Sequence, residues 1–154
     1  MSRFCDAVTK MEGLSADDCR RGMVALGTHS RKIHVNDSQQ LSGSVNLDAA
    51  LRDRFPNDPR WDYCIGYCMD GGEAAFWVEV HPAQTANVGE MLAKLAWLKA
   101  KIEAVPDLAA LTNRATKPFC WVATGSISIS QNSPQARRLA TSGLQKPSKH
   151  LYLP

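Results

Sequence analysis

The stretch RWDYCIGYCMDGGEAAFWVEVHP, Arg60 to Pro82, decides the fold. Its first half alternates the large apolar residues Trp61, Tyr63, Ile65 and Tyr67 with Asp62, Cys64 and Gly66, the period of two that a pleated strand imposes on its side chains. The second half repeats the pattern, with Phe76, Val78 and Val80 on one face and Trp77, Glu79 and His81 on the other. Between them, Met69-Asp70-Gly71-Gly72-Glu73 has the chemistry of a turn, so the two runs read as the arms of a hairpin. A turn centred near Asp70 and Gly71 brings Asp62 opposite Glu79, with both side chains on the same face.

Two carboxylates so placed repel unless one is protonated or a cation lies between them, and hard oxygen ligands suit Mg²⁺ or Mn²⁺. His81, two residues beyond Glu79, shares that face and is available to ligate a metal, orient water or take a proton. The alternative is an ordinary wet hairpin face. Trp77 and Cys64 fall on the same face, which is more apolar than open solvent favours.

Working outward, Asn46 is a cap for a helix through Leu47, Ala50, Leu51 and Phe55 that ends at Pro56 and carries Asp48 in its first turn. After Pro82 ends the strand, Asn87 and Glu90 form a capping box for a helix to about Ala104, with Val88, Met91, Leu92, Leu95, Leu98 and Ile102 at helical spacing. A short helical turn at Leu108 to Leu111, a strand from Phe119 to Ile129, a helix opened by Ser133-Pro134 and stopped by Gly143, and a final strand at Leu151 to Leu153 complete the core. Upstream, Asp6 to Thr28 reads as one or two weak helices, Lys32 to Asn36 as a short β run and Asp37 to Ser44 as a polar loop. The expectation is one α/β domain over 1–154, with 1–45 an N-terminal extension and loop, and 46–154 a mixed central sheet whose β-hairpin is flanked by helices.

The order helix with an early acid, strand with Asp, strand with Glu-x-basic, long helix, strand resembles the PD-(D/E)XK nuclease-like, or restriction-endonuclease-like, fold over roughly Asn46 to Ile129. In that family Asp and Glu hold Mg²⁺ and a lysine assists the attacking water. The resemblance implies metal ligands at Asp62 and Glu79, with Asp48 as the acid sometimes supplied by the first helix, and Glu79-Val80-His81 in place of Glu-x-Lys. His81 departs from the family's lysine, and a histidine gives less stabilisation to a developing phosphorane charge. Lys94, on the following helix, is the candidate substitute; beside Lys101 it reads more readily as a solvent-facing lysine.

A chain of 154 residues, 44% of them apolar, has the size of one domain with a real core. No stretch is apolar for long enough to span a bilayer, and Met1 to Glu12 mixes charges without a continuous apolar region, so a cytoplasmic location is expected. Five cysteines are too few for a disulfide scaffold and fit a reducing compartment. Cys64 and Cys68 lack the second pair a zinc tetrahedron needs and read as small buried residues. Charge changes sign along the chain: 61–113 holds three lysines against seven acids, while from Arg114 onward there are six bases and no acid. That gradient suits an acidic pocket beside a basic rim, with Lys117, Arg137 and Arg138 toward phosphates of DNA or RNA; the alternative is a solvated basic tail.

The leading expectation is a metal-dependent nuclease or nucleic-acid-binding domain using Mg or Mn. The runner-up is a catalytically inactive interaction or regulatory domain of the same fold with a protein partner, and a third reading is a metal-dependent hydrolase of a smaller phosphate or carboxyl substrate. No heptad or isolated apolar patch indicates an oligomer, and oligomeric state stays open.

Overall fold

The hairpin forms in the register that its alternation requires. In the computed structural model, which describes residues 2–154, the elements in chain order are α1 (Arg3–Val8), β1 (Ile33–His34), β2 (Leu41–Asn46), α2 (Leu47–Leu51), β3 (Tyr63–Met69), β4 (Gly72–Gln84), α3 (Val88–Glu103), α4 (Pro106–Asn113), β5 (Phe119–Ser128), α5 (Pro134–Thr141) and β6 (Leu151–Tyr152), with short 3₁₀ turns between them. Strands β3 and β4 pair antiparallel from Met69↔Gly72 at the turn to Tyr63↔Val78. Asp70 and Gly71 are the only residues of the loop, so every facing pair is fixed from there outward.

The central sheet runs β2-β3-β4-β5, antiparallel across the first three strands and parallel between β4 and β5. A parallel neighbour needs a crossover, and α3 and α4 supply it. The fold is therefore α/β, with a mixed four-stranded sheet flanked by helices. On one face Cys64, Ala75, Trp77, Trp121 and Ala123 pack with buried residues of α1, α3 and α4. On the other, Tyr63, Ile65, Tyr67, Phe76, Val78 and Val122 pack against Leu26, Ile33 and Leu153, and a separate two-stranded parallel sheet pairs β1 with β6.

Helix α3 buries Val88, Met91, Leu95, Leu98 and Ile102, a stripe spaced at three and four residues. At about 1.5–3 kcal/mol for each fully buried side chain, this stripe fixes the helix over the sheet irrespective of what its polar residues do. Helix α1 packs as closely. A Cβ at Gly66 would lie 2.3 Å from Phe4 Cγ, so this β3 position has to be glycine for the helix to approach. Trp77 Nε1 donates to Thr112 Oγ1 at 3.0 Å, which joins α4 to β4 through a buried hydrogen bond.

Two expectations change. Asp37 to Ser44 is not a continuous loop: Leu41–Asn46 is an edge strand of the central sheet, so the core begins inside the segment read as an extension, and α1 belongs to it as well. The polar Ser42, Gly43 and Ser44 concealed this, and their small size has a cause. Cys5 and Cys19 form a disulfide that lies against Gly43, where a Cβ would meet Cys5 Sγ at 2.9 Å. The cysteines are thus not all thiols as the reducing-compartment reading supposed; Cys64 and Cys120 are buried thiols and Cys68 an exposed one. Strand β4 also continues past Pro82 to Gln84, with a register shift between Pro82 and Ala83. Among the described residues no helix is long and apolar enough to cross a membrane.

Candidate functional site

Asp62 immediately precedes β3, and Glu79 is one register step beyond the Tyr63↔Val78 pair. Each carboxylate accepts a backbone N–H from the opposite strand segment. Asp62 N–H donates to Glu79 Oε1 at 2.9 Å, and Val80 N–H donates to Asp62 Oδ2 at 3.0 Å. The carbonyl of Asp62 accepts from Leu47 N–H at 2.8 Å, tying the start of α2 to the same point.

Glu79 is fully buried, and its second oxygen accepts from Lys94 Nζ at 2.5 Å. Lys94 is carried there by α3, on the flank of the buried stripe, and its side chain is only 16% exposed. The solvent-facing reading of Lys94 therefore fails. One ammonium serves two carboxylates, and the excess negative charge acts on all three groups. Burial first, then the Asp62 charge, pushes Glu79 up to about 8 against the opposing pull of Lys94. Burial also raises Asp62, opposed by its hydrogen bond from Val80 and by Lys94. For Lys94 burial works against the charged form, but Glu79 and Asp62 outweigh it and raise its pKa. The three titrate as one unit that holds a proton well above the ordinary carboxylate range.

His81 does not join them. Its Nδ1 is 3.0 Å from the carbonyl of Pro82 and its Nε2 is 3.3 Å from Glu90 Oε1, so the ring is committed to its own strand and to the first turn of α3. The basic group that contacts Glu79 is Lys94, not His81. Asp48 is not available as a third ligand either, because Arg60 Nε binds Oδ1 at 3.0 Å and an Arg52 guanidinium nitrogen binds Oδ2 at 2.8 Å. It acts on the site through space, as one of the charges that raise Asp62 and the Tyr63 hydroxyl.

Arg137 and Arg138 are exposed on α5, where Arg137 donates to the carbonyl of Asn132 at 3.1 Å. Lys117 is exposed ahead of β5. Because Glu79 pairs with Trp121, Lys117 lies roughly 13 Å toward the hairpin-turn end of the sheet. None of the three is brought to the carboxylates. No family model, curated relative or solved structure matches this chain.

Sequence reasoning missed two contributors. Arg60, next but one to Asp62, clamps Asp48 and the carbonyls of Phe55 and Pro56. Its position just after a Pro-rich turn and just before the strand was the available signal. His29 Nδ1 is 2.9 Å from the Tyr63 hydroxyl and lowers the Asp62 pKa slightly; nothing in the spacing linked it to the hairpin. Trp61 Nε1 is the one buried side-chain polar atom without a hydrogen-bond partner among the described residues, and the structure offers no account of it.

For a hard divalent cation the set offers one oxygen outright: Asp62 Oδ1 accepts no hydrogen bond among the described residues, whereas both Glu79 oxygens are engaged, by the Asp62 amide and by Lys94. A cation held between the two carboxylates would have to displace a proton and share or break one of those bonds. Among those residues no three His, Cys, Asp or Glu side chains gather as metal ligands. Mg²⁺ is commonly held by only one or two carboxylates, with water and substrate phosphate completing its shell.

Proposed function

We propose that this chain is a metal-dependent phosphodiesterase acting on nucleic acid, built on a restriction-endonuclease-like core. The observation that carries the reading is the Lys94–Glu79 contact beside Asp62. Asp62 just ahead of β3, Glu79 within β4 and a half-buried lysine on the next helix supply the kinds of group such chemistry uses. Asp62 and Glu79 would hold Mg²⁺ or Mn²⁺, which supplies a polarised water and a Lewis acid for the scissile phosphate.

The chain's own residues do the rest. Glu79 fixes the direction of Lys94, and the Asp62 amide fixes the direction of Glu79. The Lys94 ammonium, kept charged by both acids, would stabilise negative charge developing on phosphate oxygens and orient the attacking water. The acid-free segment from Arg114 to the C-terminus gives a polyanion a favourable surface to approach.

One observation favours a second reading, a catalytically silent interaction domain of the same fold: Lys94 already neutralises one acid without a cation. A single assay separates the two. Labelled single- and double-stranded DNA and RNA are incubated with Mg²⁺ or Mn²⁺ and with the wild type, Lys94→Ala or Glu79→Gln. The nuclease reading expects metal-dependent cleavage that falls by about 10²–10³ in either variant. Binding that weakens steeply with salt separates a polymer substrate from a small phosphate ester. No cleavage and no Mn²⁺ binding in calorimetry sink the reading in favour of the silent domain.

A further inference from the structure

Far from the carboxylates, the small β1–β6 sheet gathers three rings on its outer face. Ile33 pairs with Leu151, and His34 with Tyr152. Ile33 is buried against the core, so the alternation of a strand turns His34 and Tyr152 outward, and His150, two residues before Tyr152, with them. His34 and Tyr152 stack with centroids 4.7 Å apart. His34 Nε2 is 2.9 Å from His150 Nδ1. His150 and Tyr152 are exposed, and the turn leading into His150 is fixed by Ser148 Oγ donating to the His150 carbonyl at 2.7 Å.

We propose that His34 and His150 form a binding site for a late first-row divalent cation of the Ni²⁺ or Cu²⁺ class. The 2.9 Å between His34 Nε2 and His150 Nδ1 is that of a hydrogen bond. It shows that the two ring nitrogens on adjoining segments already lie side by side, and two imidazole nitrogens at right angles around a metal, each about 2.0–2.1 Å from it, would stand about as far apart. The rings now face each other through one shared proton. Binding moves that proton to the distal nitrogen of the ring that carries it, leaving lone pairs on His34 Nε2 and His150 Nδ1, and a swing of the two side chains turns both toward a common point. Right-angled nitrogen ligands suit tetragonal Ni²⁺ and Cu²⁺ better than tetrahedral Zn²⁺, and imidazole excludes Mg²⁺ and Ca²⁺. Water fills the remaining positions. The metal would clasp β6, held to β1 by only two register pairs, to the body of the fold.

The test is calorimetric titration of Ni²⁺ into untagged full-length protein; Ni²⁺ is chosen because it spares the exposed Cys68 thiol from oxidation. One histidine-dependent equivalent is expected in the wild type and in Glu79→Gln alike, any further equivalent that is lost in Glu79→Gln belonging to the Asp62–Glu79 pair. His34→Gln and His150→Gln should each weaken binding by about tenfold or more, with circular dichroism in EDTA confirming that both variants fold. Ni²⁺ should also raise the melting temperature of the wild type but not of the histidine variants. Absence of stoichiometric binding, or binding unchanged in both histidine variants, overturns the proposal.

Discussion

Two charge clusters lie a few residues apart, and they are balanced in opposite ways. At Asp62, Glu79 and Lys94, two carboxylates share one ammonium in a buried setting. At Asp48, Arg52 and Arg60, one carboxylate is shared by two guanidiniums in a more exposed setting. The second cluster needs nothing more: its acid is saturated, and Arg60 also holds the Phe55 and Pro56 carbonyls. The first cluster is balanced only while it holds a proton, and becomes short of a positive charge once Glu79 ionises as pH rises through about 8. A surplus of buried charge of one sign is costly to stability, and sites that bind or react are where such a cost is retained.

The comparison breaks most visibly at Lys94. Removing it leaves buried carboxylates without a counter-charge, so Lys94→Ala is expected to lose about 3–5 kcal/mol in denaturant unfolding above pH 8. The loss should shrink at pH 5, where a protonated Glu79 no longer needs the partner; equal losses at both pH values would contradict a charge-deficient site.

Glu79→Gln sharpens the same contrast through pH. The folded-state pKa of Glu79, about 8, exceeds its ordinary value of 4.5, so the folded protein binds more protons between those values. The glutamate's contribution to stability is then fully present below about pH 4.5 and is lost as pH rises through about 8. The stability of Glu79→Gln relative to wild type should therefore grow across that window and level off above it, read from urea midpoints at matched ionic strength. In the saturated cluster the effects are smaller. Arg60→Ala should cost about 1–2 kcal/mol because it also frees two carbonyls, whereas Arg52→Ala, which removes one exposed pair, should cost less than about 0.5 kcal/mol by the same measurement.

Where the sequence was legible, short-range rules governed. The hairpin register followed from period-two alternation and a two-residue turn, and it alone brought Asp62 to Glu79. Helix α3 followed from its apolar stripe. The direction of Lys94 was readable in principle, since it lies three residues after Met91 and four before Leu98, on the edge of that stripe; its likeness to Lys101 hid this. Lys101 in fact lies over the Phe55 ring. Strand β2 was hidden because close packing against a disulfide demands small residues there, and small polar residues are also what loops contain. The turning of His81 toward Glu90 depended on where α3 begins in space, which strand alternation does not encode.

The two-residue turn at Asp70 and Gly71 has a consequence in time as well as in space. A hairpin closes locally, on the order of 1–10 μs, while Lys94 arrives only once α3 has formed and docked over the sheet. In an open hairpin, water would screen Asp62 from Glu79; burial is the main cause that raises Glu79, so the docking that delivers Lys94 also creates the need for it.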